Sequence, residues 1–304
     1  MPKVSVLIPS RNEQYLQKTV DGLFETAAGD IEVIVVCDGE PYPNLSERKG
    51  LRVFYEPQKG IKECCNQAAM IATGKYFMKI DAHCSISPGW DEILPMACED
   101  NWVVIPRLYI LDAEKWKWQD ERFYDYFYLC CPLTDKRMFR FQAGGHWKER
   151  TKERLHIKPI DDTMQFQGSC WFMTQTHYWD HLHGNVGTKF SGQGVAQEPT
   201  TIGLQTWLGP WNGRCVVNKD VWYAHMHKGG QRPRGYPASQ HVINEGYKYD
   251  AEYWMLNMWQ DQIHDVGWLV EKFWPVPSWS DNWRELYVKW LYDFNLRSSR
   301  EKVS

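Results

Sequence analysis

The sequence predicts an α/β fold in which a sheet is flanked by helices. The first hundred residues alternate short apolar runs with helical patterns, which is typical of parallel strands joined by crossover helices. Polar and acidic side chains follow directly after several of these runs. The chain has 304 residues, of which 43% are hydrophobic, so it can bury a large core.

The elements of the amino-terminal half follow from the apolar pattern. Short apolar runs predict strands at 4–8, 31–37, 51–55, 75–80 and 102–105. Apolar residues that recur every three to four positions predict helices at 14–28, 61–72 and 90–99. Gly29-Asp30 and Thr73-Gly74 end the first two helices. We interpret residues 1–106 as a nucleotide-binding half.

Beyond residue 106 the periodicity is weaker. Residues 107–165 are charged and aromatic without a clean period, and we interpret them as an insertion or lid within a second half that spans 107–237. In this half we predict, in order, a strand, a short helix, a loop, a helix and a strand at 167–174, 177–183, 184–194, 200–207 and 214–224. The Trp-rich segment 238–304 is predicted to be a helical extension that packs on the sheet.

Composition narrows the function classes. The formal net charge of −3 gives no global attraction to a polyanion, although basic clusters at 148–158 and 228–234 could still create a local one. Nine cysteines without C-x-x-C spacing argue against a zinc knuckle or redox motif. No apolar run approaches the roughly 20 residues that span a bilayer, and the first residues enter a strand rather than a signal peptide. We therefore expect a cytoplasmic protein without a transmembrane segment.

Two polar segments end neighbouring predicted strands. Asp38 ends the second strand, and Pro9-Ser10-Arg11-Asn12-Glu13 follows the first. Ligands of open α/β sheets bind along the carboxyl edge of the strands. A strand-end Asp can equally be a loop cap, so the position alone leaves both interpretations open. Together, the two segments suggest a pocket for a base and a ribose.

The segment Asp81-Ala82-His83 follows another apolar strand. Residues two apart in an extended chain point the same way, so Asp81 and His83 can chelate one divalent cation. Such a cation stabilises a leaving diphosphate by neutralising its charge. The alternative is an Asp cap beside a packed histidine, because a bare D-x-H pattern is common.

These motifs carry a resemblance to a known family. Several segments resemble, in order, those of the family 2 glycosyltransferases of the GT-A fold. This fold is a Rossmann-like mixed sheet with flanking helices. The segments are residues 4–13, the strand ending in Asp38, Gly60 with 66–69, residues 72–76 and residues 81–84. The D-x-H form resembles the polypeptide N-acetylgalactosaminyltransferases and their relatives. The resemblance implies a single catalytic domain that binds a UDP-sugar, with nucleotide contacts from Pro9, Arg11, Glu13, Asp38, Gly60 and Asn66.

A weaker resemblance runs from residue 166 to 228. Residues 168–172 are similar to the small-residue strand that faces the donor sugar, and the Gly-rich segment 191–194 precedes Glu198, which resembles the active-site acid. Cys215 and the segment 225–228 resemble the part that supplies a third metal ligand and a basic residue for the diphosphate. The spacing from Gly213 favours His225 as the ligand, with His227 as competitor, and Lys228 as the basic residue.

The resemblance implies a transfer reaction in which Asp81, His83 and His225 hold Mn²⁺ or Mg²⁺ on the donor diphosphate. If the reaction inverts the anomeric centre, Glu198 is the candidate general base; if it retains configuration, Glu198 only positions a substrate. The acceptor stays open between a polysaccharide or protein and a hydroxymethylated base in DNA. The resemblance does not extend to a lectin-type domain after residue 240 or to an anchor before residue 1, so we do not expect a secretory mucin-type enzyme.

Two other classes of protein remain as alternatives. A non-catalytic sugar-binding protein would explain the 17 Trp residues, but not the ordered carboxylates at the strand ends. A zinc hydrolase could use His83, His225 and His227, yet the helical H-E-x-x-H spacing is absent from the sequence. The sequence does not determine the sugar or the oligomeric state.

Overall fold

The structure is a computed structural model that describes residues 3–41, 43–134, 139–141, 143–184, 198–227 and 239–301. The strands in these ranges are β1 (Val4–Ser10), β2 (Ile31–Asp38), β3 (Leu51–Glu56), β4 (Tyr76–Ile80), β5 (Cys84–Ile86), β6 (Trp102–Asp112), β7 (Lys117–Tyr124), β8 (Phe127–Leu129), β9 (Ala143–His146), β10 (Ile160–Asp162), β11 (Cys170–Thr174) and β12 (Arg214–His225). The α-helices are α1 (Leu16–Thr26), α2 (Ile61–Ile71), α3 (Trp90–Met96), α4 (Lys148–Glu153), α5 (Glu198–Leu208), α6 (Gln240–Met255), α7 (Val266–Lys272) and α8 (Trp283–Glu301).

Ten of these strands form one mixed sheet in the order β10-β12-β6-β11-β4-β1-β2-β3, with β5 paired to β12 and β7 paired to β6. The strands β1 to β4 are parallel. The antiparallel strand β11 lies between β4 and β6, and β12 is parallel to β6. The carboxyl ends of β1, β2, β4, β6 and β12 therefore open on the same edge of the sheet. This architecture confirms the predicted α/β fold.

The central strands read as continuous apolar runs because both faces of the sheet are covered. Leu7, Ile34 and Phe77 belong to one core, which also contains apolar residues of α2, α5 and α7. Val6, Val33 and Met78 belong to a second core on the opposite face, together with residues of α1 and α3. Alternate side chains of a strand point to opposite faces, so each strand contributes to both cores.

The segment 107–165 is more regular than its sequence pattern predicts. The strand β6 crosses the expected boundary at residue 106, and both β7 and β10 join the main sheet. The sheet is therefore continuous across the two predicted halves. Pairing with β6 orders β7, although its sequence mixes charged and aromatic residues without an alternating pattern. Cross-strand pairing of this kind leaves no local period in the sequence.

The predicted carboxyl-terminal extension is helical, as α6, α7 and α8 show. Most of its tryptophans pack on the core that contains α2 and α5, and Trp254, Trp279 and Trp283 are buried there. The indole N–H of Trp279 donates to the backbone oxygen of Leu129 at 2.7 Å, which ties this extension to β8. In the described ranges, no helix combines the length and the hydrophobicity that crossing a membrane requires.

A buried histidine lies where β11 passes into a five-residue π-helical turn, His177–His181. The Nε2 atom of His177 is 3.1 Å from Thr206 Oγ1, and its Nδ1 atom is 3.0 Å from Nδ1 of His181. Burial, followed by the charge of His181, lowers the pKa of His177 to about 3. The ring therefore folds in its neutral form.

We predict that His177 makes the protein less stable in acid. Between pH 6.5 and 3 the unfolded chain binds a proton at this ring that the folded chain excludes, so the free energy of unfolding falls as the pH falls. One such group contributes a slope of up to about 1.4 kcal/mol per pH unit. In His177→Gln, urea unfolding across this range should show a shallower dependence on pH than wild type.

The matched control is His156→Gln, because His156 is exposed and its replacement should leave the pH dependence as in wild type. An equal slope in wild type and His177→Gln would contradict the assignment.

Candidate functional site

The pairing of two strand ends brings the predicted metal ligands together. Asp81 follows β4, and the short strand β5 pairs antiparallel with the end of β12, so that Cys84 lies opposite His225. The backbone N–H of Met226 donates to the oxygen of His83 at 3.2 Å, which extends this pairing. Residues that are 142 positions apart in the chain therefore meet at the carboxyl edge of the sheet.

The side-chain ligand atoms of Asp81, His83 and His225 lie close together. The Nε2 atoms of His83 and His225 are 3.0 Å apart. Oδ2 of Asp81 is 3.3 Å from Nε2 of His225 and 3.9 Å from Nε2 of His83. Both histidines are buried, and the side chain of Asp81 is 22% exposed. Among the residues that the structure describes, these three form the group of potential metal ligands.

This donor set fits a divalent cation. Adjacent ligands of an octahedral ion with bonds of about 2.1 Å are about 3.0 Å apart, close to the two shorter of the three distances. Two imidazoles and one carboxylate on one side of an ion also leave coordination positions open for another molecule. Carboxylate oxygens suit Mn²⁺ and Mg²⁺, and imidazole nitrogens suit transition metals, so Mn²⁺ satisfies the set better than Mg²⁺.

The protonation states also suit a cation. Burial lowers the pKa of His225 to about 4, against the opposing effect of Asp81. Burial disfavours the ionised form of Asp81, but Lys79 and the two histidines outweigh it and hold the pKa of this carboxyl well below its usual range. At neutral pH the site thus holds a neutral His225 and an ionised Asp81, the forms in which these side chains bind metals.

Glu13 contacts one of the candidate metal ligands, His83. Its Oε2 is 3.1 Å from Nδ1 of His83, and both side chains are largely buried. The sequence interpretation assigned Glu13 to the nucleoside, whereas the structure places its carboxylate behind a candidate metal ligand. An Nδ1–H that donates to a carboxylate leaves the Nε2 lone pair facing the other ligands. This contact places Glu13 to orient His83 and to favour the tautomer that carries the proton on Nδ1.

A buried lysine that the sequence interpretation missed lies beside the three residues. Nζ of Lys79 is 2.6 Å from Oδ1 of Asp81 and also donates to the backbone oxygen of Gly168. Burial disfavours the ammonium, but the charges of Asp81 and Glu198 outweigh it and raise the pKa of Lys79. The available signal was a charged residue inside an apolar strand, two positions before Asp81.

Glu198 lies on the other side of this lysine. It begins α5, its Oε2 is 3.8 Å from Nζ of Lys79, and its Oε1 accepts a hydrogen bond from the indole of Trp171 at 2.6 Å. Burial raises the pKa of Glu198, and Lys79 and Trp171 oppose this effect. Its side chain is 2% exposed. The carboxylate thus contacts Trp171 and lies near the lysine, while Lys79 lies between it and Asp81.

The candidate nucleotide-binding residues gather where β1 and β2 end. Arg11 donates to the backbone oxygen of Asp38 at 2.8 Å. The carboxylate of Asp38 accepts the backbone N–H groups of Lys59, at 2.5 Å, and Gly60, at 3.2 Å. Gly60 has φ of 97° and precedes α2, a conformation that favours glycine. Asp38 therefore anchors the start of α2, as the loop-cap interpretation anticipated.

The remaining predicted residues are dispersed. Pro9 lies in β1 opposite Val36. The pairing of β1 with β4 ends at Leu7, so β4 does not need a backbone N–H from Pro9. Asn66 on α2 accepts a hydrogen bond from the hydroxyl of Tyr178 at 2.7 Å. The ring of His227 lies 4.7 Å from that of His225, outside the group of converging atoms. Lys228, the segment 191–194 and the loop 228–236 lie outside the described residues.

Comparisons with known proteins agree with this fold. Over 111 residues, the chain is 27% identical to a protein of Bacillus subtilis (strain 168) named "Uncharacterized glycosyltransferase EpsJ", which covers 33% of this chain and 32% of that protein. A crystal structure of GalNAc-T7 with UDP, GalNAc and Mn²⁺ superimposes with a TM-score of 0.64 at 14% identity, over 90% of this chain and 56% of that one.

The chain thus spans about a third of the length of the bacterial relative and about half of the GalNAc-T7 chain. The structural likeness confirms the GT-A fold that the sequence motifs predicted. Residues 5–181 match the family described as Glycosyl transferase family 2, a match that covers more than half of the chain. The chain therefore belongs to glycosyl transferase family 2.

Proposed function

We propose that this chain is a metal-dependent glycosyltransferase that moves a sugar from a UDP-sugar to a hydroxyl group of a polysaccharide or protein. The observation that carries the proposal is the convergence of Asp81 Oδ2 with the Nε2 atoms of His83 and His225 at the carboxyl edge of the sheet. Ligands of α/β sheets bind at this edge. The GalNAc-T7 structure, which has the same fold, contains UDP, GalNAc and Mn²⁺ and supports this choice of donor and cation.

The bound cation would neutralise negative charge on the departing diphosphate. The protein side chains prepare the site for it. Lys79 binds Oδ1 of Asp81 and keeps the carboxylate ionised, while Oδ2 faces the histidines. Glu13 orients His83 through Nδ1. On the neighbouring strand ends, Arg11 and the Asp38 to Gly60 contacts form the wall that we assign to the nucleoside.

We assign Glu198 a positioning role. Its carboxylate is buried against Trp171 and Lys79, and it reaches Asp81 only through the lysine. A general base must lie within hydrogen-bond reach of the acceptor hydroxyl, whereas this carboxylate is almost fully enclosed by protein. This assignment favours a retaining reaction, in which no protein base is needed because the leaving diphosphate takes the acceptor proton.

A donor panel tests the proposed activity without an acceptor. The protein with MnCl₂ should slowly hydrolyse at least one nucleotide-sugar, and we expect UDP as the released product. Activity on no nucleotide-sugar, in a sample that binds UDP and metal, would contradict catalysis and favour a sugar-binding protein.

We predict that UDP binding requires the cation. Calorimetry should show UDP affinity falling sharply on addition of EDTA and in Asp81→Asn. His225→Ala should weaken Mn²⁺ binding by on the order of a few kcal/mol, because one of three side-chain ligands is lost. His227→Ala is the matched control, since its ring lies outside the converging group. Equal Mn²⁺ affinity in the two histidine variants would contradict the ligand assignment.

We predict that Glu13→Gln lowers Mn²⁺ affinity about 10- to 100-fold, the range typical of a residue that orients a metal-binding histidine. Gln keeps the shape of the side chain but removes the charge that holds the Nδ1–H tautomer of His83. The exposed Glu25 on α1 provides the control variant, Glu25→Gln. If Glu13 contacted only the nucleoside, the variant would bind UDP more weakly, and its affinity for Mn²⁺ measured without UDP would equal that of wild type.

We predict that Glu198→Gln lowers both the affinity for Mn²⁺ and the turnover rate, each by less than about tenfold. Removing this charge leaves Lys79 less compensated, so the positive potential at Asp81 rises and disfavours a cation. Titration with Mn²⁺ and steady-state kinetics measure the two effects. A general base behaves differently: its loss costs about 10²- to 10⁴-fold in rate with metal affinity unchanged. A loss of that size with unchanged metal affinity would contradict the positioning role and indicate that Glu198 is the general base.

A further inference from the structure

A cavity of about 560 Å³ lies between β7, the end of β9 and α4, apart from the candidate metal site. Its walls combine three cations, Arg122, Lys148 and Lys152, with the rings of Phe123, Tyr124 and His146. We refer to it as the cationic pocket.

The pocket is positively charged and open to solvent. Its three cations are exposed, and none of the described residues that line the cavity is acidic. Within the part of the chain that the structure describes, none of the three forms an ion pair, in contrast to Arg154 and Arg214 nearby, which pair with Asp161 and Asp162. Cations that have no carboxylate partner and border one cavity favour an anionic ligand.

The aromatic wall of the pocket is held in place from behind. The rings of Tyr124 and His146 meet edge to face at 4.5 Å, and Nε2 of His146 is 2.8 Å from Thr151 Oγ1. The guanidinium of Arg107 lies 4.4 Å over the ring of Phe123 and is itself fixed by two hydrogen bonds to Asp125. A rigid aromatic wall beside cations suits a ligand that has both an apolar ring face and a negative charge.

The strand register relates the pocket to the candidate metal site. His225 on β12 pairs with Ile110 on β6, which pairs with Gln119 on β7. Arg122 lies in the irregular stretch of β7 that follows Gln119. Two strand spacings separate β12 from β7, which corresponds to about 10 Å between the backbones. This separation is comparable to the length of two or three sugar units.

We propose that the cationic pocket binds an anionic saccharide, whose phosphate or carboxylate contacts Arg122, Lys148 and Lys152 while a sugar ring packs on Tyr124. This proposal rests on the proposed glycosyltransferase function, for which it names the acceptor as a negatively charged glycan. Duplex DNA fits less well, because its phosphates need a long charged surface, whereas three cations surround one compact cavity.

The test measures binding to the metal-loaded, full-length protein by calorimetry. The probes are glucose 6-phosphate, glucuronate, neutral glucose, inorganic phosphate, and a short DNA duplex. We expect one or both anionic sugars to bind more tightly than glucose and phosphate. The comparison of glucose 6-phosphate with glucuronate distinguishes a phosphate from a carboxylate ligand.

The variant Arg122→Gln with Lys152→Gln should lower the affinity for the preferred sugar about tenfold, since two charge-assisted contacts are lost. The control is Lys115→Gln, because Lys115 is 76% exposed, lies between β6 and β7 and does not line the pocket. All substituted residues are exposed, and thermal unfolding checks that the variants fold as wild type.

Equal affinity of wild type and the double variant for the anionic sugars would overturn the proposal. It would also be overturned if the protein bound the DNA duplex with a steep salt dependence and bound neither sugar. UDP and Mn²⁺ affinities should be the same in the double variant and in wild type. A failed donor panel with intact sugar binding would remove the glycosyltransferase assignment and leave the pocket, whereas the reverse outcome would remove the pocket alone.

Discussion

The antiparallel pairing of β5 with the end of β12 is the constraint on which the candidate site depends. It places Cys84 opposite His225, so that His83 and His225 meet with their Nε2 atoms 3.0 Å apart. Neither strand belongs to the parallel group β1 to β4, and β5 has only three residues. The position of these ligands is set by backbone hydrogen bonds, which hold side chains more precisely than a loop does.

A second constraint is the buried charge beside this pairing. Lys79 occupies a strand in which its neighbours are apolar, and its ammonium is stabilised by Asp81, the Gly168 oxygen and Glu198. Removing one partner from such a group leaves an uncompensated charge in the interior, which is costly. The lysine therefore links α5 to the candidate ligand Asp81, and it explains why Glu198, although far from Asp81 in sequence, belongs to the same electrostatic unit.

The end of the sheet joins the two proposed binding regions. Where β6 and β12 end, the neighbouring strands lie in the order β5, β12, β6 and β7, and the candidate metal site lies near β5 and β12 while the cationic pocket lies beside β7. The segment 107–165, whose sequence shows no regular period, supplies β7 and α4 for the second region. This arrangement is suited to an enzyme that must hold a donor and an acceptor next to one another.

The sequence by itself determined the α/β class, the family, the elements of the first hundred residues except β5, and the residues Asp81, His83 and His225 as candidates, because these depend on local periodicity and on short motifs. Only the tertiary structure decided how they combine. It placed His225, and not His227, among the converging atoms, brought Glu13 into contact with His83, and revealed Lys79 between Asp81 and Glu198. Contacts between residues far apart in the chain leave no local pattern, since pairing across strands and burial set them.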